Sequence, residues 1–398
     1  MKLKIFFTSI SIFLIIQFSF AQVDTSLIHA YGAMNEEKYD QAWELFSQSK
    51  NITPDLLPLK IKAAWNTAHY NEMRLMMKKL RSSKKALKYF YFSRFYARTG
   101  KTDSAFFMLE KLLENRHKLP RSLVKTDTVL ARLKIDERWT SIWKKEHYKP
   151  YDLKVEMAAR ELEVKNYDLA LTLLDELIED RSYREQPWYL RSLLLYERGV
   201  VRSALDDINR AIKEDDGVAY FYALKAKILL KIGRDKKALK IVQKAIELNP
   251  YDPDNYGIAA KAALKLERYE EGLAYAENFL TGYPQKPEAL FIYARFIFGN
   301  GSCMKALPPI NKAIKKRSRN PEYYFLRAQI YQKCKVYAQA AKDYGMCLDF
   351  WPQHHKVYLG RGICRYHTGN KKGSCRDLER AFDLGAFEAE ELIHDWCR

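Results

Sequence analysis

Apolar side chains return every three or four positions through most of this chain, which is the spacing of one buried stripe on an α-helix. The stripes come in pairs. Set out in rows of 34 residues, the sequence gives seven rows without insertion or deletion, starting at Tyr151, Glu185, Ala219, Pro253, Pro287, Pro321 and His355. The eighth position is small in every row: Ala158, Ser192, Ala226, Ala260, Ala294, Ala328 and Gly362. So is the twentieth, with Ala170, Ala204, Ala238, Gly272, Ala306, Ala340 and Ser374, while the twenty-seventh holds Ala211, Ala245, Ala313, Cys347 and Ala381. Gly199, Gly233 and Gly369 occupy the fifteenth position, between the two stripes, where a turn needs backbone freedom. Each row therefore predicts a pair of helices joined by a tight turn. Small residues where the helices cross let their backbones approach, and bulky ones such as Trp188, Tyr222, Tyr256 and Tyr324 at the fourth position fill the space beside them.

The row from Pro321 carries Tyr324, Ala328, Tyr331, Ala340, Tyr344 and Pro352 in succession. That order resembles the signature of the tetratricopeptide repeat family. The resemblance implies an all-α fold, a right-handed superhelical solenoid of helical hairpins in two blocks. Residues 23–56 fit a further row through Ala30, Tyr39, Ala42, Phe46 and Pro54, and residues 86–119 another through Ser93, Gly100, Ala105 and Leu109. Between them, residues 57–85 are a worn copy. Residues 120–150 break the period, although Leu130, Leu133, Trp139 and Ile142 keep a helical spacing. The expected organisation is a signal peptide at 1–21, a degenerate block at 22–119, an aperiodic helical joint at 120–150, seven in-phase repeats at 151–388, and a capping helix at 389–398 of the kind a solenoid end requires.

The signal-peptide expectation rests on Lys2 and Lys4, an apolar run from Ile5 to Phe20, and small residues at Ser19 and Ala21. The run is shorter than the ~20 residues of a spanning helix. Export to the periplasm or cell surface follows, with cleavage near Ala21. The 398 residues hold 47% apolar side chains, which argues against disorder. The net charge of +19 is unevenly spread: residues 57–150 carry 23 Lys or Arg against 8 Asp or Glu. There Lys78, Lys79, Arg81, Lys84, Lys85, Lys88, Arg94 and Arg98 alternate with Tyr89, Phe90, Tyr91, Phe92, Phe95 and Tyr96. Such interleaving also marks nucleic-acid binding, but export argues against that, and helical spacing explains the aromatics as core. An anionic envelope surface, an acidic protein and a plain solvated face remain as readings.

Comparison between rows isolates an ion pair. Arg191, Arg327 and Arg361 share the seventh position, and the same rows carry Asp207, Asp343 and Asp377 sixteen residues later. In an antiparallel hairpin these positions meet across the two helices, as structural pairs. The family resemblance further implies a concave groove lined by positions two, five, nine, twelve and thirteen of each first helix. Carried onto this chain, these positions include a basic ladder of Lys227, Lys231, Lys261, Lys265, Arg295 and Lys333, with Tyr189, Phe291 and Phe325 beside it. An acidic protein or peptide is the partner this ladder predicts, and scattered solvated lysines are the plainer reading. The Asn residues that some family members use to hold a terminal carboxylate are absent.

Six cysteines lie in the last quarter, and an even count in an exported chain favours disulfides. Of the fifteen possible connectivities, the one the repeat frame favours pairs Cys303 with Cys334, Cys347 with Cys364, and Cys375 with Cys397. Metal binding is disfavoured, because Cys364 and His367 form the one close pair and no second follows. No phosphate loop, zinc-protease motif, nucleophile elbow or paired-cysteine motif occurs, and His354, His355, His394 and Asp395 are expected at the surface. The expectation is a non-enzymatic protein–protein interaction scaffold of the bacterial envelope, without catalytic residues, metal or cofactor. A ligand-sensing module that signals through a partner membrane protein is the alternative.

Overall fold

What breaks each 34-residue row into two helices is visible at the fifteenth position. Lys165, Gly199, Gly233, Glu267, Gly301, Lys335 and Gly369 all adopt left-handed backbone angles, with φ between 54° and 82°. The next N–H then reaches back five residues to an otherwise orphaned carbonyl, as from Arg234 to Leu229 at 2.9 Å and from Val336 to Tyr331 at 2.8 Å. Glu37, Ala68 and Gly100 end three earlier helices by the same device.

A computed structural model describes residues 24–49, 52–80, 84–115, 118–181 and 183–397. The expected signal segment and Arg81 lie outside the described residues. Helices α1 (Thr25–Asn35) and α2 (Tyr39–Gln48), α3 (Leu57–Asn66) and α4 (Tyr70–Lys78), and α5 (Lys85–Arg98) and α6 (Thr102–Leu113) form three hairpins. A short α7 (Arg121–Lys125), a 3-10 turn (Leu130–Ile135) and α8 (Glu137–Lys144) follow. The seven rows are the hairpins α9 (Pro150–Glu163)/α10 (Tyr167–Asp180), α11 (Glu185–Glu197)/α12 (Val201–Glu214), α13 (Ala219–Lys231)/α14 (Asp235–Leu248), α15 (Pro253–Lys265)/α16 (Tyr269–Gly282), α17 (Pro287–Gly299)/α18 (Cys303–Lys316), α19 (Pro321–Lys333)/α20 (Tyr337–Leu348) and α21 (His355–His367)/α22 (Lys371–Asp383). Helix α23 (Ala389–Cys397) closes the chain. The fold is all-α, with no strand among the described residues.

The eighth- and twentieth-position residues are buried in every row. Where one of them carries a hydroxyl, it bonds across the crossing: Ser192 Oγ donates to the Ala204 carbonyl at 2.7 Å, and Ser374 Oγ to the Gly362 carbonyl at 2.8 Å. Gly272 admits no larger residue, since a Cβ there would stand 2.1 Å from a ring carbon of Phe296.

The chain falls into two compact units, Met1–Asp252 and Pro253–Arg398, which divide within the in-phase rows. In the first unit the aperiodic segment is fastened at both ends. Val124, Leu130, Leu133, Trp139 and Ile142 complete one core with residues of α3 to α6. Glu156 of α9 accepts from the N–H groups of Arg121 (2.9 Å) and Ser122 (2.6 Å), capping α7 from the first in-phase helix. A second core, of Leu27, Ala30, Met34, Ala42, Phe46 and Leu56, receives Tyr251 from the far end of the same unit. Asn249 Nδ2 donates to Tyr31 Oη at 3.2 Å, across 218 positions of sequence.

In the second unit, Cys303–Cys334 and Cys375–Cys397 are bridged. The first bridge ties α18 to the end of α19, and the second ties α22 to the capping helix, where Trp396 stacks on Tyr366 at 3.8 Å. Cys347 and Cys364 correct the expectation of a third bridge: both are buried free thiols. The Cys347 thiol donates to the Pro321 carbonyl at 3.5 Å, at the start of its own row.

Candidate functional site

The ladder residues stand on first helices, split between the two units. In the first unit, Lys227 and Lys231 lie on α13, and Tyr189 lies on the neighbouring α11. Lys227 is exposed. Lys231 donates to the Tyr196 carbonyl at 3.1 Å and lies over the Tyr196 ring at 4.8 Å, which fixes its ammonium between the two helices. In the second unit, Lys261 and Lys265 (α15), Arg295 (α17) and Lys333 (α19) are all exposed. Their helices turn an inward stripe of Ala260, Ala294 and Ala328 to the hairpin crossings, which leaves the next position outside.

Two details modify the ladder. Glu288, at the second position of α17, pairs with Lys261 at 2.5 Å, so that rung is already neutralised from the following row. The three aromatic residues are half-buried. Tyr189 meets Tyr220 (4.8 Å) and Phe221 (5.2 Å), and Phe291 meets Tyr323 (4.9 Å), so both link first helices of neighbouring rows, while Phe325 meets Tyr344 (5.9 Å) and His354 (5.6 Å) within its own row. His354, expected at the surface, is half-buried beside Phe325 and stacks on Trp351 at 5.2 Å, and partial burial lowers its pKa below the usual histidine value. His394, by contrast, is exposed and pairs with Asp395 at 3.1 Å.

The shared Arg and Asp positions meet through paired nitrogens. Arg191 Nε and Nη2 donate to Asp207 at 2.8 Å each, Arg327 to Asp343 at 2.7 and 2.8 Å, and Arg361 to Asp377 at 2.8 Å each. A third contact escaped the sequence reading. Arg191 Nη1 also donates to Asp175 (2.6 Å), and Arg327 Nη1 to Asn311 (2.8 Å), in both cases at the twenty-fifth position of the preceding row. The arginine thus ties its own hairpin and the one before it. Before Arg361 that position is Gly345, and Arg365 supplies a second donor to Asp377 at 2.6 Å instead. The acceptor at position twenty-five was the signal available in the sequence.

Burial divides the basic block of the first unit. Lys78, Lys79, Lys84 and Lys85 are exposed, Lys88 is half-buried, and Arg98 is exposed over the Tyr70 ring at 5.2 Å. Arg94 is half-buried against the core. Its guanidinium lies over the Trp65 ring at 4.1 Å and pairs with Asp127 at 3.1 Å, and burial lowers its pKa. Phe90, Tyr91 and Phe92 are buried in the same core. Burial also pushes the Cys347 and Cys364 thiols up to about 12, so both stay protonated. Among the described residues no cluster of His, Cys, Asp and Glu could hold a metal, and no helix is long and apolar enough to cross a membrane.

Successive antiparallel helix pairs in one register define a helical-hairpin repeat protein. The tetratricopeptide repeat family model matches residues 189–253 and 259–321. No curated protein sequence matches this chain. Among solved structures it is similar to YrrB, described as a tetratricopeptide repeat protein with an unusual peptide-binding site (18% identity, 47% of this chain and 97% of that one, TM-score 0.41). It is also similar to a tetratricopeptide repeat protein of Parabacteroides merdae (16%, 62% and 99%, 0.45) and to PilW, a type IV pilus biogenesis factor (16%, 53% and 97%, 0.46).

Proposed function

We propose that this chain is a non-enzymatic scaffold of the bacterial cell envelope that binds an acidic peptide or protein segment along its first-helix faces. The repeat family supports protein interaction in general. The observation that carries the finer reading is exposed cations on the first helices of successive rows within the second unit, Arg295 at the ninth position and Lys333 at the thirteenth, with Lys227 exposed at the ninth position in the first unit. A rigid framework of Arg–Asp ties and aromatic links behind them holds the faces preformed, so a partner need not order the receptor. The charged N-terminus and apolar run from Ile5 to Phe20 support export.

The test is capture of partners from an envelope fraction by the full chain and by a Lys227→Glu, Arg295→Glu, Lys333→Glu variant. Loss of the captured proteins at unchanged helicity supports the reading. An unchanged set of partners removes the groove from the proposal and leaves the fold intact.

A further inference from the structure

Helix α4 presents an outward face that the hairpin cores do not use. Met73 and Met77 are fully buried, one turn apart, and fix the inward stripe of the helix. Leu75 lies about 200° around from Met73 at 100° per residue, and it is 58% exposed. Lys78 and Lys79 fall within about 60° of Leu75, and Arg74 lies about 100° away. All three are exposed. Lys84 and Lys85, where the chain enters α5, are exposed as well. Among the described residues none of Lys78, Lys79, Lys84 and Lys85 forms an ion pair, while Glu72 is the acidic side chain that shares the face.

We propose that this face, Arg74, Leu75 and Lys78 of α4 and Lys79 at its C-terminal cap, with Lys84 and Lys85 at the start of α5, is a peripheral contact for an anionic phospholipid surface. One feature favours lipid over an acidic protein. A leucine exposed among Arg74, Lys78 and Lys79 is the arrangement of an interfacial helix face, where the apolar side chain enters the acyl boundary and the long lysines reach the headgroups. Each cation near such a surface strengthens binding by roughly fivefold. Arg94 takes no part, being held against the core by Trp65 and Asp127.

The experiment is cosedimentation of the purified full chain with phosphatidylcholine vesicles, with and without about one third phosphatidylglycerol. Binding at least tenfold stronger to the anionic vesicles is expected at low salt, and it should disappear at about 0.5 M salt, where screening reaches a few ångströms. The variant Lys78→Glu, Lys79→Glu, Lys84→Glu, Lys85→Glu, checked for unchanged helicity, should bind no better than to neutral vesicles. Leu75→Ser should weaken binding severalfold without changing its salt dependence. The groove variant described above should bind vesicles as the parent does, which separates this surface from the partner-binding face. Equal binding to both vesicle types, or anionic binding that survives the four charge reversals, overturns the proposal. So does retention on polyglutamate resin without vesicle binding, which would assign the face to an acidic protein.

Discussion

Removing Arg327 tests whether the shared Arg and Asp positions hold the hairpins together. Asp343 is 4% exposed, and its partner among the bonds described above is the Arg327 guanidinium, at 2.7 and 2.8 Å. Arg327→Met strands that carboxylate, and breaking a buried pair costs about 3–5 kcal/mol. The lower end applies here, because the arginine side chain keeps 20% of its exposure and water can follow it in. The Asn311 contact adds little, since Asn311 is exposed and regains water. A loss of about 3 kcal/mol corresponds to roughly a hundredfold change in a local opening equilibrium. Hydrogen exchange is the appropriate assay, because repeat arrays open in parts and a single melting temperature averages over them. The slowest amides of α19 and α20 should exchange about a hundredfold faster in Arg327→Met. With Asp343→Leu added, the stranded charge is gone and an apolar side chain fills its place, so much of the protection should return. A single-variant effect below about tenfold, or additive losses in the double variant, would refute the reasoning.

Three further outcomes are expected. Lys335→Gly, at φ 62°, should raise stability by about 0.5–1 kcal/mol in urea unfolding, because the left-handed backbone costs an L-residue roughly 1–2 kcal/mol and glycine's greater unfolded-state freedom offsets part of the gain. Thiol counting without reductant should find two groups after denaturation and none that react quickly in the native protein, whereas reduction of both bridges should cost about 3 kcal/mol each for loops of this length. Six free thiols in the unreduced chain would eliminate the staples. The His29 pKa lies below the ordinary 6.5, because burial and the Lys38 ammonium disfavour its charged form, despite Glu36. Its folded state resists protonation, so stability is complete above about pH 6.5 and declines below it. His29→Gln should flatten that decline in acid-unfolding curves.

The hairpin register was legible in the sequence because helix crossings tolerate only small side chains, and a period of 34 repeats that demand in the same columns. The turns were only half legible. Glycine marked Gly199, Gly233 and Gly369, but Lys165, Glu267 and Lys335 take the same left-handed angle without announcing it, since position in the row and not residue type dictates it. The partners of Arg191 and Arg327 in the preceding rows were missed, because comparison along columns within a row does not examine the row before. Arg94 read as surface charge, since an arginine sandwiched between Trp65 and Asp127 looks in sequence like any other member of a basic run. The third cysteine pair shared a core and a row spacing, but side-chain direction decides whether two thiols meet, and spacing does not carry direction. The contact of Tyr251 with the first hairpin has no local signal at all.

That contact makes the order of synthesis matter. A row of hairpins touching only their neighbours can fold in the order it is made. Here the hairpin of α1 and α2 is made well before its partner, since Tyr251, which packs against its core, follows more than two hundred residues later, a delay of about ten to forty seconds at ordinary elongation rates. During that interval Leu27, Met34 and Phe46 lack the cover that Tyr251 provides, and nearby apolar surface can compete for the place. The hairpin of α1 and α2 is thus made long before the residue that completes its packing.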